Sequence, residues 1–221
     1  MRSATSMIEL VFAIVIMGIA VMSLPLILTQ VESNNAFALQ QESILAAKAE
    51  IGNILTYEWD ANSYDSNDSH SFVLTTNGDS ELNPTAGTQR RVGHINADYR
   101  RKFSPVARQA SAIVPDGILN DVDDFNGASN PLTVTAGEDA GALDYVFNLN
   151  LTTRVNYADD NATYNISPLN GFALNFANAP ATPTNIKVIS VTVSGGDQNI
   201  TLRSFTCNIG ESTLLPSRPY R

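Results

Sequence analysis

Cysteine is almost absent from this 221-residue chain: Cys207 stands alone, which excludes an intrachain disulfide and with it the stapled scaffold of a small secreted domain. On a terminal strand it reads as a small buried thiol, with an intermolecular bridge as the other reading. Histidine is nearly as scarce. His70 and His94 are the only two, and with one cysteine they make a poor donor set for zinc. Charged residues are only 16% of the chain, and 13 Lys plus Arg against 22 Asp plus Glu leave a net charge of -9. No glycine-rich phosphate loop, zinc signature or nucleophile elbow occurs, and neither histidine lies near an activated serine pattern. No catalytic, cofactor-binding or metal-binding residue is therefore expected, and the chain reads as a non-enzyme. What it does have is apolar sequence, 43% of the total. Dense runs of Val, Ile, Leu and Phe exclude disorder throughout, and the length suits one domain with an appendage.

The longest of these runs is MIELVFAIVIMGIAVMSLPLIL, Met7 to Leu28, 22 residues with one charge. A helix of about 20 apolar residues crosses a hydrocarbon core of about 30 Å, so the run predicts a membrane span. A secretory signal would be shorter, with a small-residue cleavage site directly behind it. Here the A-x-A-like site, Ala36-Phe37-Ala38, follows the polar run TQVESNN. MRSATS precedes the span with Arg2 as its one charged side chain, and the positive-inside rule places that end in the cytoplasm. Glu9 is the anomaly, because a carboxylate within a span costs about 2.5 to 3.5 kcal/mol on insertion scales and marks function by default. Two readings stand: Glu9 reaches the headgroups, or it pairs with a cation in an assembly. No basic residue follows before Lys48. Pro25 removes a backbone donor and predicts a kink or a melted turn.

The stretch SMIELVFAIVIMGIAVMSLP resembles the amino-terminal signature of type IV prepilins and type II secretion pseudopilins. The resemblance implies a short leader cut by prepilin peptidase, a new N-methylated amine, and a glutamate that attracts the amino terminus of a neighbouring subunit during assembly. Aligning Glu9 with that glutamate implies a cut between Ala4 and Thr5 and a mature chain of 217 residues. An amine of pKa about 8 stays cationic near neutral pH, so Thr5 and Glu9 would form the assembly contact. Two departures are Ala4, where the family usually has glycine, and Thr5, where it usually has phenylalanine or methionine; they imply slower processing or a displaced start. Pilins often carry a proline near Pro25, where it lets the helix stretch; a tolerated membrane-helix kink is the alternative. The resemblance also implies the bacterial inner membrane as the site of insertion, a cytoplasmic amino terminus, a periplasmic head, and other pilin or pseudopilin subunits as partners.

Beyond the span, Phe37, Gln41, Ile44, Lys48, Ile51 and Leu55 recur at spacings of three and four with alanines between, predicting that one helix continues to about Tyr57. From about Ser6 it would be about 75 Å long. WDANSYDSNDSHS then ends it, since Asp, Asn and Ser compete for backbone hydrogen bonds. A calcium loop is disfavoured there: Asp65, Asn67 and Ser69 are followed by His70 where such a loop needs glycine. Arg90, Arg91, Arg100, Arg101, Lys102 and Arg108 crowd one stretch; they read as a solvated basic face, with contact to nucleic acid phosphates as the alternative. In DGILNDVDDFNGASNP, Asp121, Asp123 and Asp124 are near enough to share a cation. The plainer reading is an acidic turn closed by Asn126-Gly127 with Phe125 anchored in the core. This phrase resembles a segment of minor prepilins of MSHA-type pili.

The last third is strand-rich. Tyr145, Phe147, Leu149 and Leu151 alternate with polar residues along one long strand, FALNF adds a short one, and Gly195-Gly196-Asp197 joins NIKVISVTVS to NITLRSFTCN as a hairpin. The expectation is an α+β chain: leader 1–4, membrane half of the helix 5–28, amphipathic half 29–58, a variable connection 59–141, and an antiparallel sheet region 142–221 that covers the outer helix half. Three functions remain: a filament subunit, minor pilin or pseudopilin; a DNA- or surface-binding tip module; and a signal-anchored periplasmic protein that never assembles.

Overall fold

The computed structural model describes residues 7–67, 70–84, 103–135, 146–160, 162, 172–196 and 198–211. One helix, α1 (Met7–Ile54), is followed by a short hairpin, β1 (Tyr64–Asp65) and β2 (His70–Ser71), and by two single-turn 3-10 helices, Ser80–Leu82 and Val122–Phe125. Then come β3 (Ser129–Thr135), β4 (Val146–Tyr157), β5 (Asp159–Asp160), β6 (Leu174–Asn175), β7 (Ile186–Gly195) and β8 (Gln198–Cys207). The main sheet has four antiparallel strands in the order β3-β4-β7-β8. The architecture is α+β. The chain divides into two compact units that part between Ser43 and Ile44, within α1.

In the second unit, the head, β4 and β7 form the centre of the sheet. Val155 pairs with Ile189, Thr153 with Val191 and Leu151 with Val193. These residues and Leu149 are all buried, while Asn148, Asn150, Thr152 and Arg154 alternate outward, as the period of two requires. The hairpin expected between β7 and β8 is present. Gly195 pairs with Gln198, and Gly196, at φ 54°, supplies the left-handed position that a tight connection needs. FALNF does contribute a short strand, β6, paired with β5.

Two features depart from the sequence reading. First, β3 lies inside the stretch expected to be a variable connection; it carries Pro131, which an edge strand tolerates because one side of it needs no partner. Second, the buried stripe on the last turns of α1 is rotated from the expected one. Ala46, Ala47, Ile51 and Ile54 are buried, whereas Phe37, Ile44 and Leu55 remain exposed. Small alanines admit close approach of a helix backbone, so the alanine face, not the longest apolar side chains, turns inward. The helix ends with Thr56 N donating to Asn53 O and Tyr57 N to Ile54 O, at 3.0 and 3.1 Å, the tighter pattern that satisfies terminal carbonyls.

The segment SFVLTT is extended and buried, with isolated parallel bridges from Val73 to Phe103 and from Thr75 to Gln109. Asparagine amides hold it in place of a continuous ladder. Asn208 accepts from Leu74 N at 2.9 Å and donates to Leu74 O at 2.7 Å; Asn83 clasps both backbone groups of Thr76 at 3.1 and 2.9 Å.

Ile189 is fully buried in this sheet, and Phe205 on the opposite face is half exposed. Ile189→Ala should lower head stability by about 2–5 kcal/mol and Phe205→Ala by no more than about 0.5 kcal/mol, read as urea unfolding midpoints at unchanged slope.

Candidate functional site

Two places hold residues out of keeping with their surroundings. The first is the amino-terminal part of α1. Apolar side chains are exposed all around it: Leu10, Val11 and Phe12 in succession show 56%, 56% and 61% of their surface. A helix apolar on every side needs lipid or other helices around it, and this one is long and apolar enough to cross a membrane. Glu9 stands in its first turn, and Pro25 lies within it, leaving the carbonyl of Val21 without an intrahelical donor. Ser23 Oγ and Thr29 Oγ1, on either side of Pro25, donate to Ala20 O and Leu26 O at 2.9 and 3.0 Å, as hydroxyls do in apolar helices. Ala4 and Thr5, the expected processing and assembly residues, lie outside the described residues.

The second place lies in the head and is buried. Lys187 falls on the inward row of β7, in phase with Ile189, Val191 and Val193, and is fully buried. Its Nζ donates to Asp123 Oδ2 at 2.8 Å and to Trp59 O at 2.7 Å, and lies 3.5 Å from Asp60 Oδ2. The Trp59 ring lies against it, its centroid 4.1 Å away, and the ring of Tyr157, its register partner on β4, is at 5.4 Å. Such contacts stabilise a desolvated cation.

Each carboxylate is placed by a local device. Asp60 follows the end of α1. Its Oδ1 accepts from Asn62 N at 2.9 Å, and its Oδ2 accepts from Ser111 N at 2.8 Å and Ser111 Oγ at 3.0 Å. Asp123 sits in the 3-10 turn capped by Asp121, whose Oδ1 accepts from Asp123 N and Asp124 N. Ala61 N donates to Asp121 Oδ2 at 2.6 Å, so the turn is tied to the chain that carries Asp60. Ser111 Oγ also reaches Asp123 Oδ2 at 3.4 Å, and Tyr157 OH donates to Ser111 O at 2.6 Å. Asp123 Oδ1 is buried without a hydrogen-bond partner among the described residues.

Burial pushes the Asp123 carboxyl up to about 7, although the neighbouring Lys187 charge pulls it down. Burial also raises Asp121, against the amide of Ala61 and the charge of Lys187. Tyr157 is held far above its ordinary range by burial first and by the negative charge of Asp123 second. Asp124 is the opposite case. Its modest burial raises it, but the amides of Asn120, Asp121 and Asp116 outweigh that and leave it below the ordinary value.

The phrase 116–131 thus folds as the plainer sequence reading expects. Phe125 is buried, its ring 4.9 Å from that of Tyr57 and edge-on, and Gly127 closes the turn at φ 85°. Asp121, Asp123 and Asp124 do not converge on a shared point: the first and third take backbone amides and the second takes Lys187. Arg108, read as part of a solvated basic face, is engaged within the head, donating to Tyr64 O at 2.8 Å and to Asp65 Oδ2 at 2.6 Å. Arg90, Arg91, Arg100, Arg101, Lys102 and His94 lie outside the described residues. Cys207 is half-buried, not enclosed, because β8 is an edge strand. Asp60, Ser111 and Lys187 were not singled out from sequence. The signal that could have found Lys187 is its position in the inward row of NIKVISVTVS.

No family model, no curated protein and no solved structure matches this chain.

Lys187→Met leaves Asp60 and Asp123 buried without their cation and should destabilise the head by about 3–5 kcal/mol, measured by denaturant unfolding. A second expectation concerns acid. A lowered carboxyl contributes stability that is present above its unfolded value, 3.8 for Asp124, and lost as pH falls through the folded one. Amide exchange at Asn120 and Asp121 should therefore accelerate, after correction for intrinsic rates, as pH drops below that value, and Asp124→Asn should remove the pH step.

Proposed function

We propose that the chain is a structural subunit of a filament, a minor pilin or pseudopilin of a type IV pilus or type II secretion system. In this reading prepilin peptidase cuts between Ala4 and Thr5, the new amine is methylated, and the subunit waits in the bacterial inner membrane with its head in the periplasm. It turns over no substrate. The observation that carries the reading is the pairing of a helix apolar on every side with one carboxylate, Glu9, in its first turn. An apolar helix surface satisfies lipid before assembly and neighbouring helices afterwards, so transfer between the two costs little in hydrophobic burial. Glu9 supplies what apolar packing lacks, a fixed register: in low dielectric a carboxylate and the terminal amine of an adjoining subunit attract strongly at one axial offset only. The acidic phrase at 116–131, similar to that of MSHA-type minor prepilins, favours a low-copy initiating or tip role over the bulk fibre.

The reading is tested at the amino terminus. Protein purified from membranes should yield an amino-terminal peptide beginning at Thr5 and heavier than its sequence by one methylene. Glu9→Ala should leave the amount of membrane-bound subunit unchanged but reduce its recovery in sheared filaments by about tenfold or more. An intact Met1 end, or undiminished incorporation of the variant, would rule out this mechanism and leave a solitary anchored protein.

A further inference from the structure

The head carries a second chemistry that does not depend on the filament reading. Lys187 Nζ and the Asp123 carboxylate are in contact at 2.8 Å, the lysine fully enclosed and the aspartate 2% exposed. A second carboxylate, Asp60, has Oδ2 3.5 Å from the same nitrogen. Ser111 Oγ bridges the two acids, at 3.0 Å from Asp60 and 3.4 Å from Asp123. Trp59 and Tyr157 wall the group with aromatic rings. We propose that this cluster is a self-modification site at which Lys187 and Asp123 condense to an intramolecular amide, joining β7 to the capped turn at Val122–Phe125.

The geometry matches what that reaction requires. An amine and an acid in water hold their charges and do not condense. In a dry site an ion pair and its neutral form, amine plus carboxylic acid, draw close in energy because desolvation penalises only the charged one. Holding the two groups in contact replaces a bimolecular encounter with an intramolecular one, an advantage corresponding to effective molarities of about 10⁵–10⁸ M. The raised proton affinity of Asp123, caused by its burial, favours the protonated acid that the reaction consumes.

The step balances without a co-reactant. Nζ, as the neutral amine, attacks Cγ of protonated Asp123 with its lone pair, forming the N–C bond. Asp60 takes a proton from the attacking nitrogen and returns it through the Ser111 hydroxyl to Oδ2, which already carries the proton of the acid. The C–Oδ2 bond then breaks, and the oxygen departs with its electron pair as water, carrying both protons. Oδ1 stays as the amide oxygen. Asp60 ends in the state in which it began, and each chain reacts once.

The product suits the site better than the reactants do. Asp123 Oδ1 is buried without a hydrogen-bond partner among the described residues, a costly condition for a polar atom. Condensation turns it into a neutral amide oxygen and removes the opposite charges of the Lys187–Asp123 pair.

The test is a mass measurement on the full chain, purified from membranes in detergent, denatured and digested with trypsin. The expected result is one branched peptide joining 109–154 to 155–203, uncut at Lys187 and lighter by one water than its two parts. Fragment ions should place the branch between Asp123 and Lys187. Asp60→Asn, close in shape to the native residue, should slow formation by about a hundredfold and yield the unlinked peptides from freshly made protein. Linear peptides of unaltered mass from aged wild-type protein would overturn the proposal. So would a linear peptide that has lost water within itself, or a branch at Asp60 or Asp121. A link that forms equally fast in Asp60→Asn would overturn the relay. All of these readouts lie in tryptic peptides between residues 49 and 203, so they stand or fall separately from the state of the amino terminus.

Discussion

The head is organised around one lysine that has no contact with solvent. Lys187 occupies a position that the pleat of β7 assigns to the core, and a buried cation is tolerated only where opposite charge and hydrogen-bond acceptors surround it. Two aspartates, a carbonyl and two aromatic rings meet that demand. They come from three separate parts of the chain, the segment after α1, the capped turn and β4, and close on a lysine of a fourth, β7. The cluster therefore acts as a geometric constraint. Asp60 is fixed relative to Asp123 through Ser111 and through the bond from Ala61 to Asp121, and each contact is satisfied only when all four parts are in place. A buried charge set of this kind is weak evidence for added stability, but removing one member is severe.

Around that cluster the head uses side-chain amides where the backbone cannot pair with itself. Asn208 and Asn83 each grip both polar groups of one residue, and Asn185 links Asn208 to Thr76 and Asp79. These bonds meet the requirement that buried backbone groups be paired while leaving the segment 72–76 free of a full ladder. They tie residues 74–79 to the start of β7 and the end of β8.

The amino-terminal unit follows a different logic. Its exposed apolar surface encodes a requirement for surroundings, whether lipid or neighbouring helices. Under the proposed reading the two units divide the work: the helix supplies insertion and register, and the head supplies a rigid body that withstands what the filament meets outside. An internal amide at Lys187 would serve that second task, because a covalent tie between β7 and the capped turn does not yield to slow pulling as a set of hydrogen bonds does.

Much of this was legible in the residues. The apolar run, the long helix, the period-two alternation of β4 and β7, the glycine hairpin and the acidic turn anchored by Phe125 all rest on local rules, and local rules act through neighbours in sequence. The rotated stripe on α1, the edge strand β3 and the Lys187 cluster were not. Which helix face turns inward depends on how closely another layer can approach, and a proline-bearing segment becomes a strand only because β4 offers it an edge. Asp60, Ser111, Asp123 and Lys187 are separated by up to 127 positions in the chain, and nothing in their own surroundings marks them as partners. Sequence alone determined a greasy helix, a charge in its first turn and a strand-rich end. Only the tertiary structure decided that a lysine and two aspartates share one buried space, because burial and proximity are properties of the packed chain and not of its order.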